Sequence, residues 1–152
     1  MHDYKLHSGS EEETIRIGEK LAILLRPGSV VTLSGQLGAG KTTLVKGIAA
    51  GLGVKQMVTS PTFTIIKEYE GELPLYHMDA YRLEHSEEDI GFSEYFSGDG
   101  ISVVEWATFI EDYIPDQHLN IDIQYEDNHK RMLVFKPHGL HYEQAVKGLY
   151  RQ

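Results

Sequence analysis

The chain contains no cysteine. That absence excludes disulfides, thiolate metal sites and a catalytic thiol, and it agrees with a reducing compartment. No apolar run approaches the ~18 residues that a membrane-spanning helix needs, and Met1-His2-Asp3-Tyr4 is not a basic start followed by an apolar core. Neither secretion nor membrane insertion is expected, which leaves a soluble cytoplasmic protein as the expectation. Basic residues are scarce: 14 Lys and Arg stand against 23 Asp and Glu, for a formal charge of −9. Without a Lys/Arg cluster to displace counterions, a strong nucleic-acid site is not expected, and any contact with RNA would run through a partner protein. Repeats, low-complexity tracts and Gly/Pro/Ser-rich linkers are also missing, so residues 1–152 read as one domain. A chain of that size buries about two-thirds of its unfolded surface.

What is present is concentrated between residues 29 and 43. An apolar run, Ser29-Val30-Val31-Thr32-Leu33, leads into Gly35-x-x-x-x-Gly40-Lys41-Thr42 and then into helix-forming sequence. A strand, this spacing and a helix together are a phosphate-binding loop in its required context. Gly38 and Gly40 leave room for phosphates where side chains would collide, and the loop's successive backbone N–H groups form an anion-binding concavity. The helix that follows aims unpaired N–H groups and its positive dipole end at the same oxygens. Lys41 then reaches the β/γ-phosphates and the Thr42 hydroxyl ligates Mg²⁺. The chain is therefore expected to bind a nucleoside triphosphate.

The flanking sequence reads as alternating helices and strands. Ser10 and Glu13 make a capping-box pattern for a first helix that Arg26-Pro27-Gly28 stops. Val30 to Leu33 suits a central buried strand, and Thr42 to Leu52 a helix ended by Gly53. Strands are expected at Phe63 to Tyr69, Leu75 to Met78 and Ile101 to Val104, with a helix capped by Ser86 running through Phe96. A short helical turn over Thr108 to Ile114, a hairpin of Leu119 to Tyr125 with Met132 to Phe135, and a helix from Tyr142 to Tyr150 complete the pattern. The expected fold is α/β: a three-layer P-loop sandwich with a mixed, mainly parallel central sheet and a C-terminal antiparallel hairpin.

A magnesium-dependent phosphate site needs an acid near the metal, usually at the end of an apolar strand beside the loop strand. Asp79 and Glu105 both stand at such strand ends. One would bind the metal and the other would orient water or sense the γ-phosphate; residue type alone leaves the division open. Histidines 77, 85, 118, 129, 138 and 141 lack ligand spacing on one helix and read mostly as solvated or core side chains. Guanine specificity is disfavoured, because neither Asn120 nor Asn128 is followed by lysine and no aspartate has glycine three residues later. Scattered arginines weaken a small-molecule kinase with an arginine-bearing lid, although that reading and a non-catalytic, nucleotide-dependent binding module both stand as alternatives.

The motifs Gly35 to Thr43, Ser60-Pro61-Thr62-Phe63-Thr64, His77-x-Asp79-x-Tyr81-Arg82-Leu83, Glu94-Tyr95-Phe96 and Val104-Glu105-Trp106 occur in that order. Together they resemble the TsaE family, also called YjeE or YdiB, over essentially the whole chain. The resemblance implies a P-loop ATPase that supports formation of N6-threonylcarbamoyladenosine in tRNA by acting on a complex of TsaD and TsaB, with the tRNA held by those partners. It assigns 38–43 to phosphate binding, Thr42 and Glu105 to the metal, Asp79 to the metal or the hydrolytic step, and 60–63 to a switch-like segment. Lys41, Asp79 and Glu105 are thus the candidate catalytic residues, with ATP and Mg²⁺ as the ligands. Trp106, the only tryptophan, would either move with nucleotide state or pack in the core. The chain departs from the family pattern at Gln36, Ala80 and Ala107, none of which removes a catalytic group. P-loop proteins without a placed arginine hydrolyse as slowly as ~10⁻⁴ s⁻¹, so weak turnover by the isolated chain is expected.

Overall fold

A computed structural model describes residues 3–35, 40–59, 66–80, 92–126 and 130–150. Seven strands among these residues form one sheet, in the order β1-β7-β6-β2-β5-β4-β3. They are β1 (Tyr4–Ser8), β2 (Val30–Gly35), β3 (Ile66–Tyr69), β4 (Leu75–Asp79), β5 (Ile101–Glu105), β6 (His118–Tyr125) and β7 (Arg131–His138). Strands β6, β2, β5 and β4 run parallel to one another at the centre, while β3, β7 and β1 add antiparallel edges. Strands β2 and β5 are buried along both faces, as a sheet covered on both sides requires.

Helices α1 (Glu11–Leu24), α2 (Lys41–Gly51) and α4 (Leu140–Leu149) cover one face. There Leu21, Leu44, Ile48 and Val146 join a core with Val31, Leu33, Val103, Ile121 and Phe135. On the opposite face α3 (Phe92–Phe96) and a 3₁₀ segment (Ala107–Tyr113) contribute Phe92, Phe96 and Ile110 to a second core with Val30, Met78 and Val104. These are the three layers that the sequence pattern implied.

Helix α1 begins as its cap pattern dictates: Ser10 Oγ accepts from the Glu13 N–H at 3.1 Å, satisfying one of the first turn's unpaired donors. The Glu13 carboxylate accepts from Gly9 N–H at 2.8 Å, one residue before the cap itself. Helices α1 and α2 approach until backbones touch, since a Cβ on Gly47 would lie 2.3 Å from the Ile15 carbonyl oxygen and one on Gly18 2.7 Å from that of Leu44. That crossing fixes where α2, and with it Lys41, begins.

Several expectations need correction. Strand β1 was not anticipated: its run Tyr-Lys-Leu-His-Ser buries only alternate positions, and it pairs with β7 alone at the sheet edge. β7 extends past Phe135 through Pro137 to His138. Proline is tolerated there because the pairing with β1 ends at Phe135, leaving β6 as the neighbour on one side. The expected starts of β3 at Phe63 and of the helix at Ser86 fall outside the described residues, as do Gly38, Ala39, the 60–63 segment and Tyr81-Arg82-Leu83.

Candidate functional site

Strand periodicity gathers the chemistry on one face. Leu75 and Val103 belong to the core beneath α1 and α2. Side chains two residues apart share a face, so His77, Asp79 and Glu105 project to that side. Asp79 and Glu105 are register partners at the ends of the parallel strands β4 and β5. One strand further along, β2 ends at Gly35, just before the loop that leads to α2. The carboxylates and the helix start therefore meet at one end of the sheet, where ligands of open parallel sheets sit.

Gly40 caps α2 with φ of +104°, a left-handed conformation in which a side chain would be strained. Lys41, first residue of the helix, is 8% exposed. Its Nζ donates to the Gly35 carbonyl at 3.3 Å and stands 3.8 Å from Glu105 Oε1. It also lies over the Trp106 ring, 5.0 Å from the centroid. In this conformation the lysine is held by the loop's own strand, a buried acid and an aromatic face. Thr42 and Thr43 follow in the first turn of α2, half-buried.

Glu105 is 6% exposed, and a carboxylate that deep must be partnered. Oε1 faces Lys41, while Oε2 accepts a 2.6 Å hydrogen bond from Nε2 of His77, a completely buried side chain. An ionised carboxylate only accepts, so this contact fixes the proton on His77 Nε2. His77 Nδ1 has no hydrogen-bond partner among the described residues. The chain turns sharply after Glu105: Trp106 has φ of +59°, the one positive φ on a described non-glycine residue. Such backbone strain persists only where surroundings impose it. Trp106 is 38% exposed, so it packs on Lys41 at the site's edge and is not simple core filling.

Of the residues singled out from sequence, Gly40, Lys41, Thr42, Thr43, Asp79 and Glu105 are thus collected at one sheet end, and Gly38 and Ala39 lie outside the described residues. His77 was read among six histidines that are mostly solvated or core side chains, and its place in the His77-x-Asp79 motif was given no role. It is a core histidine, and the reading missed its contact with Glu105. The available signal was its position two residues before Asp79 on an apolar strand.

The parallel central strands, with α2 the next element after β2, and the likeness to a solved structure given below define a P-loop α/β protein. The family model for threonylcarbamoyl adenosine biosynthesis protein TsaE matches residues 8–133. A curated relative from Bacillus subtilis, tRNA threonylcarbamoyladenosine biosynthesis protein TsaE, is 48% identical over 99% of this chain and 96% of its own length. The Treponema pallidum protein of the same name is 45% identical over 77% of this chain and 88% of its own. Among solved structures, that of Bacillus subtilis YdiB superposes with a TM-score of 0.87 at 43% identity, covering 99% of this chain and 95% of that one. The chain belongs to the TsaE family, whose members take part in tRNA threonylcarbamoyladenosine biosynthesis.

Proposed function

We propose that this protein binds ATP with Mg²⁺ and hydrolyses it slowly, and that TsaD and TsaB stimulate the hydrolysis during threonylcarbamoyladenosine formation. The observation that carries the reading is the meeting of Lys41, Asp79 and Glu105 at the start of α2. The 40–43 backbone would hold the β- and γ-phosphates at the helix N-terminus, and Lys41 would exchange Glu105 and the Gly35 carbonyl for phosphate oxygens. Among the described residues no group of three or more His, Asp or Glu forms a metal cage. The hydroxyl of Thr42 and the carboxylates of Asp79 and Glu105 are hard oxygen donors of the kind Mg²⁺ takes, one or two at a time, completing its shell with phosphate and water. Thr42 and Glu105 would hold it, and when bound it would supply charge neutralisation on the β- and γ-phosphates. Asp79, register partner of Glu105, would then orient the attacking water, or share the metal. His77 would keep the Glu105 carboxylate turned toward the lysine side by occupying its other oxygen.

The tRNA would be held by the partners, in keeping with the net charge of −9. Among the described residues no helix is long and apolar enough to cross a membrane. The reading is tested by ATP turnover of the purified chain, alone and with TsaD and TsaB, using Lys41→Ala as the blank. Slow turnover, stimulated by the pair and absent in the variant, is expected. Turnover indifferent to the pair would remove the partner-dependent part of the proposal.

A further inference from the structure

We propose that His77 makes Glu105 a one-oxygen metal ligand and thereby sets the site's preference for Mg²⁺ over Ca²⁺; this rests on the metal site proposed above. Glu105 ends β5, with Asp79 directly beside it on β4 and His77 two residues earlier on the same face. Its two oxygens are committed to different sides. Oε1 stands 3.8 Å from the Lys41 ammonium, toward the phosphate loop, and Oε2 accepts the Nε2–H of His77 at 2.6 Å, toward the buried part of the face. A bond of that length to an ionised oxygen is charge-assisted, and both partners are buried, so water competes for it little.

Packing alone gives no reason for a histidine at this position. Its neighbours on the same face are Leu75, two residues before it, and Val103, its register partner on β5, both core residues. His77 Nδ1 has no hydrogen-bond partner among the described residues, a deficit that a buried leucine would not carry. Lys67, the register partner on β3, gives its ammonium to the Thr59 hydroxyl. Among the described residues the ring therefore makes one polar contact, and that contact is with the acid assigned to the metal.

The chemistry of the two cations turns this contact into selectivity. Mg²⁺ demands a near-ideal octahedral shell and is served by single oxygens, whereas Ca²⁺ takes a larger, looser shell and accepts both oxygens of one carboxylate. To chelate with both oxygens, Glu105 would have to turn and give up the His77 bond. While the bond holds, Glu105 offers one oxygen beside the Thr42 hydroxyl, which suffices for Mg²⁺ and leaves Ca²⁺ short of a donor. Hydrogen-bond partners that orient a ligating carboxylate change metal affinity by about 10- to 100-fold when removed.

Calorimetric titration of the full chain with ATP in EDTA, with MgATP and with CaATP tests this. The wild type should bind MgATP more tightly than CaATP. His77→Leu should weaken MgATP about tenfold and leave CaATP and metal-free ATP within about twofold, so that the preference collapses. His77→Gln, whose amide N–H reaches the place of Nε2, should keep the preference, and His77→Asn, whose amide is too short, should lose it; this pair carries the test if the leucine variant does not fold. Equal weakening of both metal complexes is what a merely structural role gives, and it overturns the proposal, as does a wild-type preference in His77→Asn. If Mg²⁺ leaves the wild-type ATP affinity at its EDTA value, or Glu105→Gln keeps the full gain from Mg²⁺, the metal site itself is wrong, so the two failures are distinguishable.

Discussion

Removing Lys41 and Glu105 singly and together measures how firmly the nucleotide-free site holds its own lysine. At 3.8 Å and an effective dielectric of about 20, the gross attraction is ~4 kcal/mol. Desolvation of two nearly buried charges offsets much of it, and His77 continues to bond Glu105 when the lysine is gone. We therefore expect Lys41→Met to cost about 2 kcal/mol of folding stability, and a cycle with Glu105→Gln to return a coupling of about 1–2 kcal/mol. With a urea slope near 2 kcal/mol per molar, the single variant's unfolding midpoint drops by about 1 M. The assay is urea unfolding of the four proteins without nucleotide, followed by far-UV circular dichroism. A coupling within about 0.5 kcal/mol of zero would refute the claim that Glu105 holds the lysine in its resting position.

The same contact predicts that Glu105→Gln binds ATP several-fold more tightly in EDTA, because it frees Lys41 and removes a negative charge beside the phosphates, while turnover with Mg²⁺ falls at least about 100-fold; calorimetry and phosphate release check the two halves. Because Trp106 lies against Lys41, ATP should change the intrinsic fluorescence, and Lys41→Met should abolish the change; a signal surviving in that variant would contradict the assignment. Gly47→Ala should cost at least about 2 kcal/mol, read from the urea midpoint, since its methyl would meet the Ile15 carbonyl at 2.3 Å. Burial, and secondarily the stacked His118, hold the His138 pKa below 6.5. Between that lowered value and 6.5 the unfolded chain binds more protons than the native one, so stability rises with pH across the window and falls on acidification. His138→Gln should therefore lose less stability than wild type between about pH 7.5 and about pH 5.5, and equal losses would count against this account.

The elements that sequence revealed are those whose signals are local. Ser10, Gly40 and the β-branched run at Val30 announce their own geometry through caps, loop spacing and burial pattern. β1 stayed hidden because Tyr4 and Leu6 are its whole apolar signal, and an edge strand with one neighbour needs no more. The expected strand ended at Phe135, yet β7 runs on through Pro137, because whether a missing N–H matters depends on whether a neighbour is there to accept it. At the site, Asp79 and Glu105 could each be placed at a strand end, but not beside one another. Their adjacency comes from the β4–β5 register, which is set by how Leu75 and Ile101 pack. The same register brings His77 diagonally onto Glu105. A histidine that looks like filler in one dimension becomes the residue that orients the acid, because only the paired sheet decides which oxygen remains for the lysine.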